Sequence, residues 1–206
     1  MSMPRNSIPL VTGEKYHIYN RGTDKRVIFN EKQDYLRFYR SLNLFNTSKP
    51  SVNFLHASKQ KIYSEDRIVQ IHAYCILPNH YHLILEQLQD GGISEFMKRL
   101  SVGYTGYFNE KNERKGVLFQ GGYKRLLINS DEQFNYLFAY VNENYTIHQI
   151  KQVYEMYETS SLHYQRKMTS VLLPPAAQDY NLSINQSLAR DIYKRRKDTN
   201  KELLEN

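Results

Sequence analysis

Apolar residues recur along this chain at two spacings, and the switches between them mark out short strands and helices. Lys15–Arg21 is short and rich in aromatic and β-branched residues, which predicts a first strand after a loose lead-in over residues 1–14. Gly22 and Asp24 supply a turn. Asn30 with Gln33 three places on reads as a helix start, and Tyr35, Phe38, Tyr39, Leu42 and Phe45 follow at helical spacing, giving a helix over about 31–46 that breaks before Pro50. Val52–His56 has extended character, and Ser58–Asp66 is a polar excursion. Ile68–Ile76 and His80–Leu85 read as two strands of a hairpin joined at Leu77-Pro78-Asn79. After Gly91-Gly92, the residues Ile93, Phe96, Met97, Leu100, Tyr104, Tyr107 and Phe108 trace one face of a long helix. A charged loop, Lys111–Gly116, leads to extended character at Val117–Phe119, which Gly121-Gly122 interrupts before it resumes over Tyr123–Ile128. Ser130 and Gln133 form a capping-box pattern ahead of a helix buried on Phe134, Leu137, Phe138, Val141 and Tyr145.

The order strand, helix, strand, strand, helix, strand is the βαββαβ pattern of a ferredoxin-like α+β sandwich, with one helix added at its C-terminal end. Two helices cover one face of the sheet and leave the other open to host a site. Residues 1–150 form this domain. Residues 151–206 form a basic helical or irregular tail, broken at Pro174-Pro175 and carrying Lys194-Arg195-Arg196-Lys197.

Composition narrows the function classes. The chain has 206 residues and a net charge of +7, which favours a polyanionic partner because Lys and Arg displace counterions from phosphates. Cys75 is the single cysteine, so an intrachain disulfide or a cysteine-based zinc site is excluded. The N-terminal residues lack an apolar signal region, and no apolar run is long enough to span a bilayer, which implies a cytoplasmic protein. Tyrosine is abundant, at 18 residues, and rings beside basic side chains can stack on unpaired bases, although most such rings pack in a core.

His80-Tyr81-His82 carries the first chemistry. On a strand, residues two apart share a face, so His80, His82 and Ile84 point one way and Tyr81, Leu83 and Leu85 the other. Two imidazoles on one face make half a site for a divalent ion, although a bare pair is more often a pair of surface histidines. The capped helix supplies more. Tyr136, Tyr140 and Asn144 recur every four residues beside its apolar face, offering a phenol able to attack phosphorus at Tyr140 and an amide oxygen at Asn144. Tyr123, Tyr136 and Tyr145 are rival nucleophiles; Tyr140 is preferred because an amide lies four residues after it.

Four segments, taken in order, resemble the single-tyrosine HUH transposases, in particular the REP-associated tyrosine transposases. They are Tyr16–Gly22, Leu77–Leu83, Gly116–Gln120 and Tyr140–Asn144, within a resemblance covering roughly residues 15–145. Many members have a proline directly after the asparagine; Tyr145 stands there here. The resemblance implies a bacterial, nucleoid-associated DNA transposase. Such an enzyme cleaves and rejoins single-stranded hairpin DNA through a 5′-phosphotyrosine at Tyr140, with Mg2+ or Mn2+ held by His80, His82 and Asn144. Related enzymes include monomers and homodimers. Lys98, Arg99, Lys124 and Arg125 are candidates to grip phosphates, against the reading that each is an ordinary solvated cation. Two other classes compete: a non-catalytic single-stranded nucleic-acid-binding module of the same fold, and a metal-dependent hydrolase that activates water and has no use for Tyr140.

Overall fold

The computed structural model describes residues 8–49 and 66–144. Strand β1 (Lys15–Arg21) leads through a 3-10 turn at Thr23–Lys25 into helix α1 (Lys32–Leu44). Strands β2 (Val69–Leu77) and β3 (His80–Gln87) follow, then helix α2 (Gly92–Lys111), strand β4 (Lys124–Ile128) and helix α3 (Asp131–Asn142). The strands form one sheet in the order β2-β3-β1-β4, with every pairing antiparallel. This is the arrangement the βαββαβ pattern predicts, with β1 and β3 side by side at the centre.

Register assigns each strand residue to a face. Tyr19 pairs with His82, Asn20 with Tyr81, and Cys75 with His82. Directly opposed residues share a face, so Tyr16, Ile18, Tyr74, Ile76, Tyr81 and Leu83 all lie on one side, and all are buried. Against that side pack Phe38 of α1 and Tyr104 of α2, whose rings meet each other and Phe29. The opposite side carries Lys15, His17 and Tyr19 of β1, His80, His82, Ile84 and Glu86 of β3, and Lys124 and Leu126 of β4. Helix α3 lies on it, against β2, β3 and β4. The face expected to be open is thus partly roofed by the helix that carries Tyr140.

Helix α1 starts one residue later than its sequence suggests. The capping box uses Glu31 and Asp34 rather than Asn30 and Gln33. The reason is tertiary. Asp34 is fully buried, and its carboxylate accepts from the backbone N–H groups of Asn30 and Glu31, the Tyr107 hydroxyl at 2.9 Å and Lys111 Nζ at 2.5 Å. One side chain therefore caps α1 and bolts it to α2. Burial, then the Asp34 carboxylate, pushes the Tyr107 phenol up to about 12.

The other cap matches expectation: Ser130 accepts from Gln133 N, and Gln133 reaches back to Asn129 N. The lead-in is anchored rather than loose over its described part. The Tyr16 hydroxyl donates to Pro9 O and accepts from Val11 N, while Gly13 N donates to Gln87 O. Val117–Phe119 forms no strand; Phe119 makes an isolated bridge to Gly22. The extended stretch at 52–56, most of the polar excursion after it, Tyr145 and the tail 151–206 lie outside the described residues.

A buried charge network held from both ends is costly to break at its centre. Asp34→Ala should lower the unfolding free energy by about 2–4 kcal/mol, and Tyr107→Phe, which removes a single donor, by about 1 kcal/mol. Urea titrations of the two variants check this; equal effects from both would show that Asp34 is not the hub.

Candidate active site

His82 sits at the middle of the face under α3. It is 6% exposed, as is His17 on the neighbouring strand. His17 Nε2 stands 2.9 Å from His82 Nδ1, and the rings stack at 5.1 Å and 19°. Burial alone lowers the His17 pKa to about 4, so its imidazole is neutral near neutrality. Tyr19 stacks on both rings, with centroids 5.3 Å from His17 and 5.7 Å from His82. Tyr140 descends from α3 and meets the pair edge-on, 5.5 Å from His82 and 6.1 Å from His17. The Tyr140 ring thus lies against both strand imidazoles. Tyr136, one turn earlier on α3, is 40% exposed.

His80 is fixed by the hairpin turn. Its Nδ1 lies 2.6 Å from Asn79 Oδ1, and Asn79 Nδ2 donates to Lys25 O. The second bond orients the amide, so its oxygen faces the ring and His80 Nδ1 must be the donor. Neutral His80 then carries its lone pair on Nε2. The turn itself is clamped by the chain after β1. Gly22 N donates to Asn79 O, and Ile28 N and Phe29 N both donate to Pro78 O. A Cβ on Gly22 would come within 2.5 Å of Arg26 O, which explains glycine there. The segment Gly116–Gln120 closes the same corner: Thr23 N donates to Leu118 O, Gln120 N to Arg21 O, and Arg21 Nε to the Gln120 side chain.

Asn144 lies two residues past the end of α3. It is fully buried, and neither its Oδ1 nor its Nδ2 has a hydrogen-bond partner among the described residues. A buried amide left unmet costs roughly 1–3 kcal/mol per group. An oxygen donor without a proton to accept, together with imidazole Nε2 atoms, is a fitting donor set for Mn2+ or Mg2+. Among the described residues no three His, Cys, Asp or Glu side chains are grouped to hold a metal.

Comparison with known proteins fixes the family. The model for IS200-like transposases matches residues 11–144, well over half of the chain. This chain belongs to that family. It is accordingly a DNA-cleaving transposase. Among solved structures, it resembles a REP-associated tyrosine transposase bound to a REP hairpin, with a TM-score of 0.50 at 16% identity, covering 88% of this chain and 96% of that one. At that identity the likeness shows a shared fold. A second match is a transposase crystal structure from Deinococcus radiodurans R1, with a TM-score of 0.37 at 15% identity, covering 75% of this chain and 96% of that one. No curated protein matches.

The four basic residues singled out from the transposase sequence are dispersed. Lys124 pairs with Tyr19 and shares the face of the histidines. Arg125 points to the other side, and its Nε donates to Ile8 O at 2.9 Å. Arg99 bonds Glu95 and the carbonyls of Phe45 and Thr47, tying down the chain after α1. Lys98 is exposed on α2, across the sheet from His82. His17 and Tyr19 were not singled out by the sequence reading. The signal for them was parity: both lie an even number of residues apart on a strand whose alternate positions are buried and apolar.

A second polar pair lies further along the same face. His72, at the bulge of β2, holds Glu86 at 2.9 Å and packs edge-on against Phe134 of α3. Burial lowers the His72 pKa below 6.5, with the Glu86 hydrogen bond opposing it. The folded protein thus binds this proton less readily than the unfolded chain. The stability linked to neutral His72 is complete above 6.5 and is lost as pH falls through the folded value. His72→Leu should therefore flatten the decline of unfolding free energy on acidification from 6.5, measured by urea titration of metal-free protein. A variant slope equal to that of the native chain would remove His72 from the account.

Proposed function

We propose that this transposase cuts single-stranded DNA with Tyr140 as nucleophile and His80, His82 and Asn144 as ligands of a divalent ion, Mn2+ or Mg2+. The observation that carries the reading is the edge-on meeting of the Tyr140 ring with His82, on a face that also holds His80. When bound, the ion supplies electrostatic stabilisation of the charge that builds on the phosphate oxygens. His80 and His82 hold their rings against β3, and Asn144 contributes an amide oxygen from the end of the nucleophile's own helix.

The Tyr140 oxygen attacks phosphorus and loses its proton to solvent. A tyrosine–phosphorus ester bond forms, the bond from phosphorus to the 3′ oxygen breaks, and that oxygen leaves as a hydroxyl after taking up a proton. The 5′-phosphotyrosine keeps the bond energy, so a 3′ hydroxyl can later reverse the step on the same or another strand without a nucleotide triphosphate. Lys124 is the basic residue best placed to contact a phosphate beside the site. Arg99 and Arg125 hold the protein's own carbonyls, which leaves them a supporting role. The solved relative bound to a REP hairpin supports a folded single strand as substrate. The bulk positive charge supports DNA binding without specifying its form.

Incubation with a single-stranded hairpin and Mn2+, followed by a denaturing gel, tests the chemistry. A protein–DNA adduct should form with the native chain, fall by at least about 1000-fold in Tyr140→Phe, and persist in Tyr19→Phe, which retains the ring stack. His82→Ala should abolish the adduct while hairpin affinity stays within a few-fold. Cleavage without adduct favours a hydrolase, and binding without cleavage a passive module. An adduct lost in Tyr19→Phe but kept in Tyr140→Phe would assign the nucleophile to the strand and overturn the proposal.

A further inference from the structure

His17 belongs neither to the apolar core nor to the ligand set just proposed, yet it is buried against His82 with two ring nitrogens 2.9 Å apart. At that distance one nitrogen donates and the other accepts. The direction matters. If His82 Nδ1–H donates, the lone pair of neutral His82 lies on Nε2, where a metal can take it. If His17 Nε2–H donates instead, neutral His82 must carry its proton on Nε2 and is spoiled as a ligand through that atom.

We infer that His17 is a positioning residue: it accepts the Nδ1 proton of His82, and so fixes both the ring plane and the choice of Nε2 as the metal-binding nitrogen. The inference rests on the metal reading above. Its physical parallel is at the other histidine, where Asn79 Oδ1, oriented by Lys25 O, fixes His80 in the same tautomer. Ligand histidines are commonly oriented through their second nitrogen, and loss of that partner weakens metal binding. Here the two partners differ in kind. An amide oxygen can only accept, whereas an imidazole can reverse its role, so the His82 tautomer depends on His17 itself being the Nδ1–H form. The His17 ring also stacks with Tyr19 and meets the Tyr140 ring edge-on. His17 thus couples the ligand to the nucleophile's helix.

Two measurements on the full chain test this. Titration calorimetry with Mn2+ alone should show His17→Phe, which keeps the ring volume and removes the acceptor, binding about 10- to 100-fold more weakly, with much of the loss restored in His17→Gln. Ring-nitrogen NMR of metal-free protein should show His82 protonated on Nδ1 in the native chain and shifted toward the Nε2–H form in His17→Phe. Unchanged Mn2+ affinity in His17→Phe, with binding abolished in His82→Ala, overturns the role while leaving the metal site intact. Complete loss in His17→Phe that His17→Gln does not restore makes His17 a ligand and overturns it too. If the native chain binds no Mn2+, the metal reading fails, and the NMR result decides alone: Nε2–H on His82 in the native protein refutes the tautomer assignment, and an Nδ1–H that is lost in His17→Phe upholds it.

Discussion

The register of β1 against β3 decides what this protein can do. Tyr19 opposes His82 and Asn20 opposes Tyr81. Side chains alternate along a strand, so a slip of β3 by one residue would turn His80 and His82 into the layer packed by α1 and α2 and bring Tyr81 and Leu83 out. Hydrophobic burial forbids that slip. Tyr81 and Leu83 are fully buried on the helix side, and exchanging them for His80 and His82 would strand polar rings among Phe38 and Tyr104. The core thus sets the chemistry indirectly, by making one face so apolar that the polar residues of the central strands have only one place to go.

Position along the strand is fixed by hydrogen bonds rather than by packing. The turn at Pro78 and Asn79 accepts three backbone N–H groups from the chain that follows β1, and Asn79 adds a side-chain bond on each side. This explains why the Tyr16–Gly22, Leu77–Leu83 and Gly116–Gln120 segments, far apart in sequence, form one corner. Gly22 permits close approach, Asn79 orients His80, and Leu118 and Gln120 lock the end of β1. Motifs that look like separate signatures are one hydrogen-bonded structure. The hydrogen bonds among them fix the hairpin turn that His80 follows.

Much of this was legible in the sequence because it follows from period and spacing. The alternation at His80–Leu85 assigned faces correctly, and the spacing of Tyr140 from Phe138 and Val141 put it beside the buried stripe of α3. What sequence could not supply was long-range pairing. His17 and His82 are 65 residues apart, and nothing in either strand alone shows that they touch. The shift of the α1 cap has the same origin: Asn30 and Gln33 satisfy a local rule, but Asp34 gains bonds from α2 that no local rule can include. Arg99 and Arg125 show the limit of charge as a guide. Both were candidates by composition, and both spend their guanidinium groups on backbone carbonyls of distant loops.

The two sides of the site are built with different stiffness, and this follows from where their energy comes from. The histidines sit on the two central strands, paired on both edges, and their second nitrogens are held by protein groups. The phenol sits on α3, a helix of 12 residues that rests on one face of the sheet and is too short to be stable by itself. Its place is set by Leu137, Phe138 and Val141 packing below and by the Ser130 cap at its start. At its far end it carries Asn144, buried with both amide atoms unmet. That is a destabilised end on the helix that carries Tyr140. On the function proposed above, an ion that took the amide oxygen would relieve that cost, and folding of the helix end and assembly of the site would then be the same event.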